Sequence, residues 1–159
     1  MQLVPMMGLH PTSVQADYAA DLKKVESCFG KRTYCAVGEI GIDLYWDKTY
    51  RVQQIEVFEE QLRWSLDLDL PVAIHTREAF PDVFDSIYKV GADKLKGVFH
   101  SFCGTAEDLE TVKKLPGFKI GINGVVTFKN SKLGEVLLAT DLSRIVLETD
   151  APYLAPVPF

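Results

Sequence analysis

The sequence is organised around six short apolar runs, and the stretches between them have the periodicity of helices. The runs are residues 3–8, 35–39, 72–75, 97–100, 118–122 and 144–148. Apolar residues that do not alternate with polar ones indicate strands buried on both faces, which is typical of parallel sheets. We therefore predict an α/β fold built on a parallel sheet of six strands.

The segments between these runs place apolar residues three or four positions apart, as amphipathic helices do. The stripes are Tyr18, Leu22, Val25 and Phe29, then Ile55, Phe58, Leu62 and Leu66, then Phe80, Val83, Phe84 and Ile87, with shorter ones at 109–112 and 136–138. Thr105 and Asp108 have the spacing of a capping box. With no linker or repeat, residues 1–159 are predicted to form one domain. It is either an open doubly wound sheet or part of a (β/α)₈ barrel.

Composition restricts the class of protein further. Apolar residues make up 47% of the chain and charged residues 25%, as in soluble globular proteins. The net charge of −5 argues against a broad electrostatic nucleic-acid binder, although an enzyme that acts on phosphate through metal ions stays possible. No apolar run approaches the roughly 18 residues of a membrane span, and the first residues do not resemble a signal peptide. We therefore expect a cytoplasmic protein without a membrane partner.

Residue types that commonly bind metals lie at the ends of four predicted strands. Glu39, His75 and His100 each end an apolar run, and Asp150 follows the last run by two residues. The carboxyl ends of parallel strands face the same side of a sheet, so these side chains can converge. Two imidazoles and two carboxylates suit Zn²⁺, Mn²⁺, iron or Mg²⁺ in a hydrolytic site, and paired metals suit displacement at phosphorus. A metal site is therefore predicted at this edge.

Other residues near the same strand ends have more than one interpretation. The guanidinium of Arg77 can bind a phosphate or carboxylate, or form a salt bridge with Glu78 or Asp82. His10, in the segment GLHPT, can contact substrate, donate a proton or cap a turn with Thr12, and the turn is favoured.

Two further groups have a structural interpretation that is favoured over a functional one. The three cysteines are expected to be reduced thiols. Cys103 follows His100 at a possible ligand spacing, but a buried, inert thiol is favoured. Asp43 is expected to orient a loop or a neighbouring group, and one of Glu148 and Asp150 is expected to be a ligand and the other its neighbour.

Six segments together resemble the TatD family of metal-dependent deoxyribonucleases, which are amidohydrolase-like barrels. The segments are GLHP at 8–11, AVGEIGID at 36–43, PVAIHTRE at 71–78, GVFHSFCG at 97–104, GFKIGINGVVTFK at 117–129 and LETDAPYLAPVP at 147–158. They occur in the family's order and span nearly the whole chain. The resemblance implies a distorted TIM barrel with one or two divalent ions, Mg²⁺, Zn²⁺ or Mn²⁺. It also implies hydrolysis of DNA phosphodiester bonds by a metal-activated water.

The resemblance also implies roles for individual residues. The metal ligands that it implies are Glu39, His75, His100 and Asp150, with Glu39 as the bridging carboxylate. Asp150 would also be a candidate base for the attacking water. Arg77 and His10 would lie near the scissile phosphate.

The sequence departs from the family pattern at both ends. It has no H-x-H motif of the first barrel strand, and it stops at residue 159, before the family's Arg-Gly stretch and final strand and helix. It thus resembles about strands two to seven of the eight in a barrel. We expect one tight metal position, formed by Glu39, His75 and His100.

The missing strands also lead us to expect weak nuclease activity and self-association through open sheet edges. Two alternative functions are open. One is a related amidohydrolase that acts on another ester or amide. The other is an inactive fragment that acts as a self-associating or binding module.

Overall fold

A parallel sheet forms the centre of the structure, a computed structural model that describes residues 3–158. The strands within this range are β1 (Val37–Asp43), β2 (Val72–Arg77), β3 (Gly97–Phe99), β4 (Phe118–Ile122) and β5 (Ile145–Leu147). They pair in the order β1-β2-β3-β4-β5. Each strand lies beside the next one in the sequence, as in a β/α barrel, whereas a doubly wound sheet reverses its strand order. The sheet therefore supports the barrel-type interpretation.

Helices precede and connect the strands, as the apolar stripes predict. In the described range they are α1 (Tyr18–Cys28), α2 (Arg51–Asp67), α3 (Phe80–Val90), α4 (Ala106–Lys113) and α5 (Leu133–Leu138). Phe58 of α2 and Val83 of α3 are fully buried. Thr105 and Asp108 form both hydrogen bonds of the predicted capping box at the start of α4. None of the helices described between residues 3 and 158 is long and apolar enough to cross a membrane.

An aromatic cluster forms the middle of the core. Phe99 of β3 is only 1% exposed. Its ring centroid lies 6.3 Å from that of Phe80, 5.8 Å from that of Phe84 and 5.5 Å from that of Phe118. These contacts join β3 to α3 and β4. Because His100 directly follows Phe99, the same contacts fix the backbone from which His100 projects.

The predicted first strand, residues 3–8, is wrong. Met7 alone forms a bridge to β1, opposite Val37. The carbonyl of Pro5 accepts a hydrogen bond from Cys35, but proline has no N–H with which to continue the ladder. The segment therefore runs beside β1 without becoming a strand.

Two site residues lie within their strands rather than at the strand ends. Val37 pairs with Val72 and Ile40 with Ile74, so β1 has one more residue than β2 over this stretch. Such a bulge changes the direction of the side chains at the irregularity, and Glu39 lies there. Both strands also continue beyond the predicted ends, to Asp43 and to Arg77, because pairing persists along the polar residues.

We expect residues 1–159, prepared alone, to self-associate through β5. Within residues 3–158 this strand pairs only with β4, and Leu147 is 84% exposed. Unpaired strand edges of this kind favour pairing with another chain. Light scattering after gel filtration should give a mass above 17.8 kDa that falls when Val146 is replaced with lysine. Leu138→Lys, a charge on an exposed position of α5, should leave the mass unchanged. A monomer mass at all concentrations would contradict this expectation.

Candidate metal centre

The six side chains that the sequence singles out line one cavity. The cavity measures about 470 Å³, and its walls include His10, Glu39, His75, Arg77, His100 and Asp150. Glu39 lies on β1, His75 and Arg77 lie on β2, and His100 and Asp150 follow β3 and β5. Parallel pairing of these strands brings the five side chains to one cavity, and His10 reaches it from the segment beside β1. The structure thus brings the whole predicted set together.

Two carboxylates hold the imidazole of His75. Its Nδ1 donates to Glu39 Oε1 at 3.0 Å, and its Nε2 donates to Asp43 Oδ2 at 2.8 Å. Burial disfavours the charged ring, but the two hydrogen bonds outweigh that effect and raise the pKa of His75. A metal ligand needs a deprotonated nitrogen, so metal binding here would displace a proton.

His100 is held in the same manner. Its Nδ1 lies 3.0 Å from Glu148 Oε2, and its Nε2 lies 2.7 Å from Asp150 Oδ1. The hydrogen bond to Glu148 raises the pKa of His100 to about 9 against the effect of burial. Glu148 also accepts the backbone N–H of Ser101, and the second oxygen of Asp150 accepts from Asn123 at 2.7 Å. Both carboxylates are therefore fixed independently of the histidine.

Glu39 lies between the histidines. Its Oε1 is 3.0 Å from His75 Nδ1 and 3.9 Å from the Nε2 atoms of His10 and His100. Burial disfavours the charged form, but the hydrogen bond from His75 and the charge of His100 outweigh it, and the pKa of Glu39 is lowered. Ligand atoms of His10, Glu39 and His75 all lie within 4.8 Å of one another. A cation could therefore bind these three groups at once. Among the described residues, His100 is not part of this group, although it is the third predicted ligand and its Nε2 lies 3.9 Å from Glu39 Oε1.

The donor set fits a divalent cation. Four carboxylates face three imidazoles in this cluster: Glu39, Asp43, Glu148 and Asp150 beside His10, His75 and His100. Metal-binding histidines usually donate their other N–H to a carboxylate, and the bonds from His75 to Asp43 and from His100 to Glu148 provide that arrangement. Mixed nitrogen and oxygen donors suit ions such as Zn²⁺ or Mn²⁺.

Arg77 lines the same cavity without a carboxylate partner among the residues described. Asp82, one of its predicted partners, instead pairs with Arg51 at 2.5 Å. The guanidinium carbon of Arg77 lies 3.7 Å from the centre of the Tyr45 ring. The salt-bridge alternative is therefore not formed, and the N–H groups of Arg77 stay available to a ligand.

His10 both caps a turn and faces the cavity. Its Nδ1 lies 2.7 Å from Thr12 Oγ1 and accepts the backbone N–H of Thr12 at 3.3 Å. Its Nε2 is the atom that faces Glu39. Burial, followed by the charge of His75, lowers the pKa of His10, so its ring is mainly neutral near pH 7.

The predicted burial of Cys103 is wrong. Cys103 is exposed and lines the cavity, with its thiol donating to the carbonyl of Thr76 at 3.5 Å. In the loop that follows β3, the neighbouring Phe102 takes the buried position, and Cys103 faces the cavity instead.

Two buried glutamines that the sequence did not single out hold the backbone of the site. Gln61 accepts the N–H of Leu9 at 2.6 Å and donates to its carbonyl at 3.2 Å, beside His10. Gln54 does the same for Asp43, at 2.8 and 3.1 Å. The two glutamines stand seven residues apart, which places them on one face of α2. Their position on the apolar face of the helix was the signal that could have identified them.

Replacing Gln61 with alanine should destabilise the fold by about 1–3 kcal/mol, because the buried N–H of Leu9 would lose its acceptor. Urea denaturation would measure the loss. Gln53→Ala is the matched control, since this neighbour on α2 is only partly buried, and a change within about 0.5 kcal/mol is expected for it. Equal effects of the two substitutions would contradict the role of Gln61.

The fold and the cavity define a class of protein: a β/α-barrel type of chain with a metal-competent cluster at the carboxyl edge of its sheet. The chain matches the TatD related DNase family over residues 1–159. It is 35% identical over 154 residues to YabD of Bacillus subtilis, an uncharacterized metal-dependent hydrolase, covering 96% of this chain and 60% of that protein. YcfH of Escherichia coli, with the same description, is 35% identical over 154 residues, covering 95% of this chain and 56% of that protein. The chain belongs to the TatD family.

Solved structures agree with this assignment. YjjV, a TatD homologue from Escherichia coli, superposes with a TM-score of 0.87 at 31% identity, covering 99% of this chain and 61% of that one. A TatD-family hydrolase from Entamoeba histolytica gives 0.76 at 28% identity, covering 97% and 52%. The TIM-barrel type of fold is thus confirmed. The chain spans about 60% of the length of its first curated relatives.

Proposed function

We propose that this chain hydrolyses phosphodiester bonds of DNA with the help of divalent metal ions. Membership in a family of metal-dependent hydrolases supports the metal dependence. The observation that carries the choice of substrate is Arg77, a cation without a carboxylate partner in the described chain, at the wall of a cavity rich in carboxylates and imidazoles. The cavity therefore offers one place for a cation and another for an anion, as a metal-assisted reaction at phosphorus requires.

The metal would be held by the residues already grouped around Glu39. Glu39, His75, His100 and Asp150 are the proposed ligands. When bound, the ion supplies Lewis acidity and lowers the pKa of water. The carboxylates of Asp43 and Glu148 keep the two imidazoles in orientation.

The remaining residues bind the phosphate and move protons. Arg77 donates its parallel N–H groups to the non-bridging oxygens and offsets the charge that grows on them. Asp150, fixed by Asn123, accepts the proton of the attacking water. His10 is mainly neutral because its pKa is lowered, so it donates a hydrogen bond to the leaving oxygen, which takes its proton from water.

Arg77→Lys tests the choice of substrate. The activity expected of residues 1–159 is weak, so the protein is used in excess over a single-stranded oligonucleotide, a small phosphodiester and a carboxylic ester. Lysine keeps the charge but loses the bidentate fork, and phosphodiester hydrolysis should fall by about 10²-fold with an unchanged melting temperature. Arg51→Lys is the control, because Arg51 pairs with Asp82 and does not line the cavity.

Two results would overturn the proposal in favour of its alternatives. Faster hydrolysis of the carboxylic ester, unaffected by Arg77→Lys, would indicate an amidohydrolase acting on another ester or amide. Absence of metal-dependent hydrolysis of every substrate would favour a binding module.

A further inference from the structure

Two exposed aromatic residues stand beside the cavity and have no part in the chemistry described above. Tyr45 and Trp46 lie in the loop that follows β1, directly after Asp43 and Leu44. The backbone N–H of Tyr45 donates to Asp43 Oδ1 at 3.0 Å, so the carboxylate that holds His75 also fixes this loop. The backbone of Tyr45 is therefore held next to the site.

The two rings form one surface with Arg77. Their centroids are 4.6 Å apart and their planes nearly perpendicular, at 88°. The guanidinium carbon of Arg77 lies 3.7 Å from the centre of the Tyr45 ring and 5.8 Å from that of Trp46. The aromatic surface thus begins at the residue proposed to bind phosphate.

These two rings contribute little to the stability of the fold, because folding leaves much of their surface in water. Trp46 is 78% exposed and Tyr45 is 45% exposed, whereas Trp64 is only 6% exposed. Large aromatic side chains gain most of their stabilising effect from burial, and a rigid exposed ring next to a cation is a good surface for stacking a flat ligand.

We propose that Tyr45 and Trp46 form a stacking subsite for an unpaired nucleobase of single-stranded DNA, next to the phosphate bound at Arg77. Nucleobases stack on aromatic side chains with little dependence on sequence, because every base has a flat aromatic face. A base in a duplex has both faces covered by its neighbours, so the subsite requires an unpaired one. The chain's net charge of −5 provides little attraction for a phosphate backbone, which makes stacking more important for affinity. This inference rests on the proposed function and specifies the substrate class.

The two tryptophans of the chain make the subsite directly observable. Trp64→Phe leaves Trp46 as the only tryptophan. The Nε1 atom of Trp64 has no hydrogen-bond partner among residues 3–158, so phenylalanine removes no hydrogen bond there. Metal-loaded Trp64→Phe protein is mixed rapidly with a thymidine octamer, and fluorescence is recorded before any strand is cut. An abasic octamer with the same phosphates is the matched ligand.

The thymidine octamer should quench Trp46 at a concentration about 10-fold lower than the abasic octamer, the ratio that about 1.4 kcal/mol of stacking gives. Trp46 is also replaced in the otherwise unchanged chain, which keeps Trp64. There, Trp46→Ala should weaken binding of the thymidine octamer by about the same factor, and Trp46→Phe should retain most of the affinity. Tyr88→Ala, at an exposed aromatic residue of α3, should change nothing.

Equal quenching by both octamers, or unchanged thymidine binding in Trp46→Ala, would overturn the subsite. Failure of the proposed function gives a different result. In that case the thymidine octamer binds and quenches Trp46 as expected, but no phosphodiester is hydrolysed.

Discussion

Replacing His100 with alanine should weaken the binding of a divalent metal ion by at least about 100-fold. Outer partners of metal ligands typically contribute 10–100-fold to affinity, and His100 is a proposed ligand itself. Its imidazole lies between Glu148 and Asp150 and within 3.9 Å of Glu39 Oε1. With alanine at position 100, only carboxylates remain as ligands at that position, and carboxylates bind Zn²⁺ less well than imidazole does. Titration calorimetry with Zn²⁺ and Mn²⁺ measures the change.

Two controls separate metal binding at the cavity from other effects. Cys35→Ser removes an exposed thiol that does not line the cavity, and Zn²⁺ affinity should be unchanged. Glu148→Gln keeps the imidazole but weakens its support, so a loss of about 10–100-fold is expected. Circular dichroism confirms that each variant is folded. Unchanged affinity in folded His100→Ala protein would show that the ion binds elsewhere.

Phe99→Ala should have the largest effect on stability, a loss of about 3–5 kcal/mol. Phe99 is almost completely buried and contacts three other phenylalanine rings, so truncation leaves a cavity at the centre of the sheet. Such a loss is a large part of the roughly 5–15 kcal/mol that holds a typical domain folded. Denaturation in guanidinium chloride measures it, and variant protein that is unfolded without denaturant would agree with the prediction.

Leu138→Ala is the control for this substitution. Leu138 is 91% exposed on α5, so its truncation should change the free energy of unfolding by no more than about 0.5 kcal/mol. A loss below about 1 kcal/mol for Phe99→Ala would contradict the position of Phe99 at the centre of the core.

The sheet could be predicted where apolar continuity and strand pairing agree. Residues 118–122 form β4 with the predicted bounds, because strands on both sides pair with this segment. Residues 3–8 have a similar composition, but Pro5 lacks a donor and the segment forms a single bridge. Composition indicates which segments can be buried, whereas pairing depends on residues far away in the sequence.

The sequence could predict which residues meet at the site, but not which side chains contact each other there. The apolar runs of the sequence indicate parallel strands, and the common direction of these strands brings the site residues together. The bonds from His75 to Asp43 and from His100 to Glu148 depend on side-chain geometry after the strands pair. The bulge that places Glu39 between the histidines is likewise a property of pairing with β2. Arg77 had two possible partners in the sequence, and the contact between Arg51 and Asp82 removed one of them.

Metal occupancy and phosphodiester hydrolysis, measured together on the same samples, test the proposed function most directly. Metal-free protein is titrated with Mn²⁺, the bound ion is counted by electron paramagnetic resonance, and cleavage of end-labelled single-stranded DNA is followed at each point. We predict one tight site per chain, hydrolysis that rises with its occupancy, and none in EDTA. Asp150→Asn should reduce the rate by about 10²–10³-fold. Hydrolysis that persists without metal, or a rate independent of the ion bound at this cluster, would contradict the proposed function.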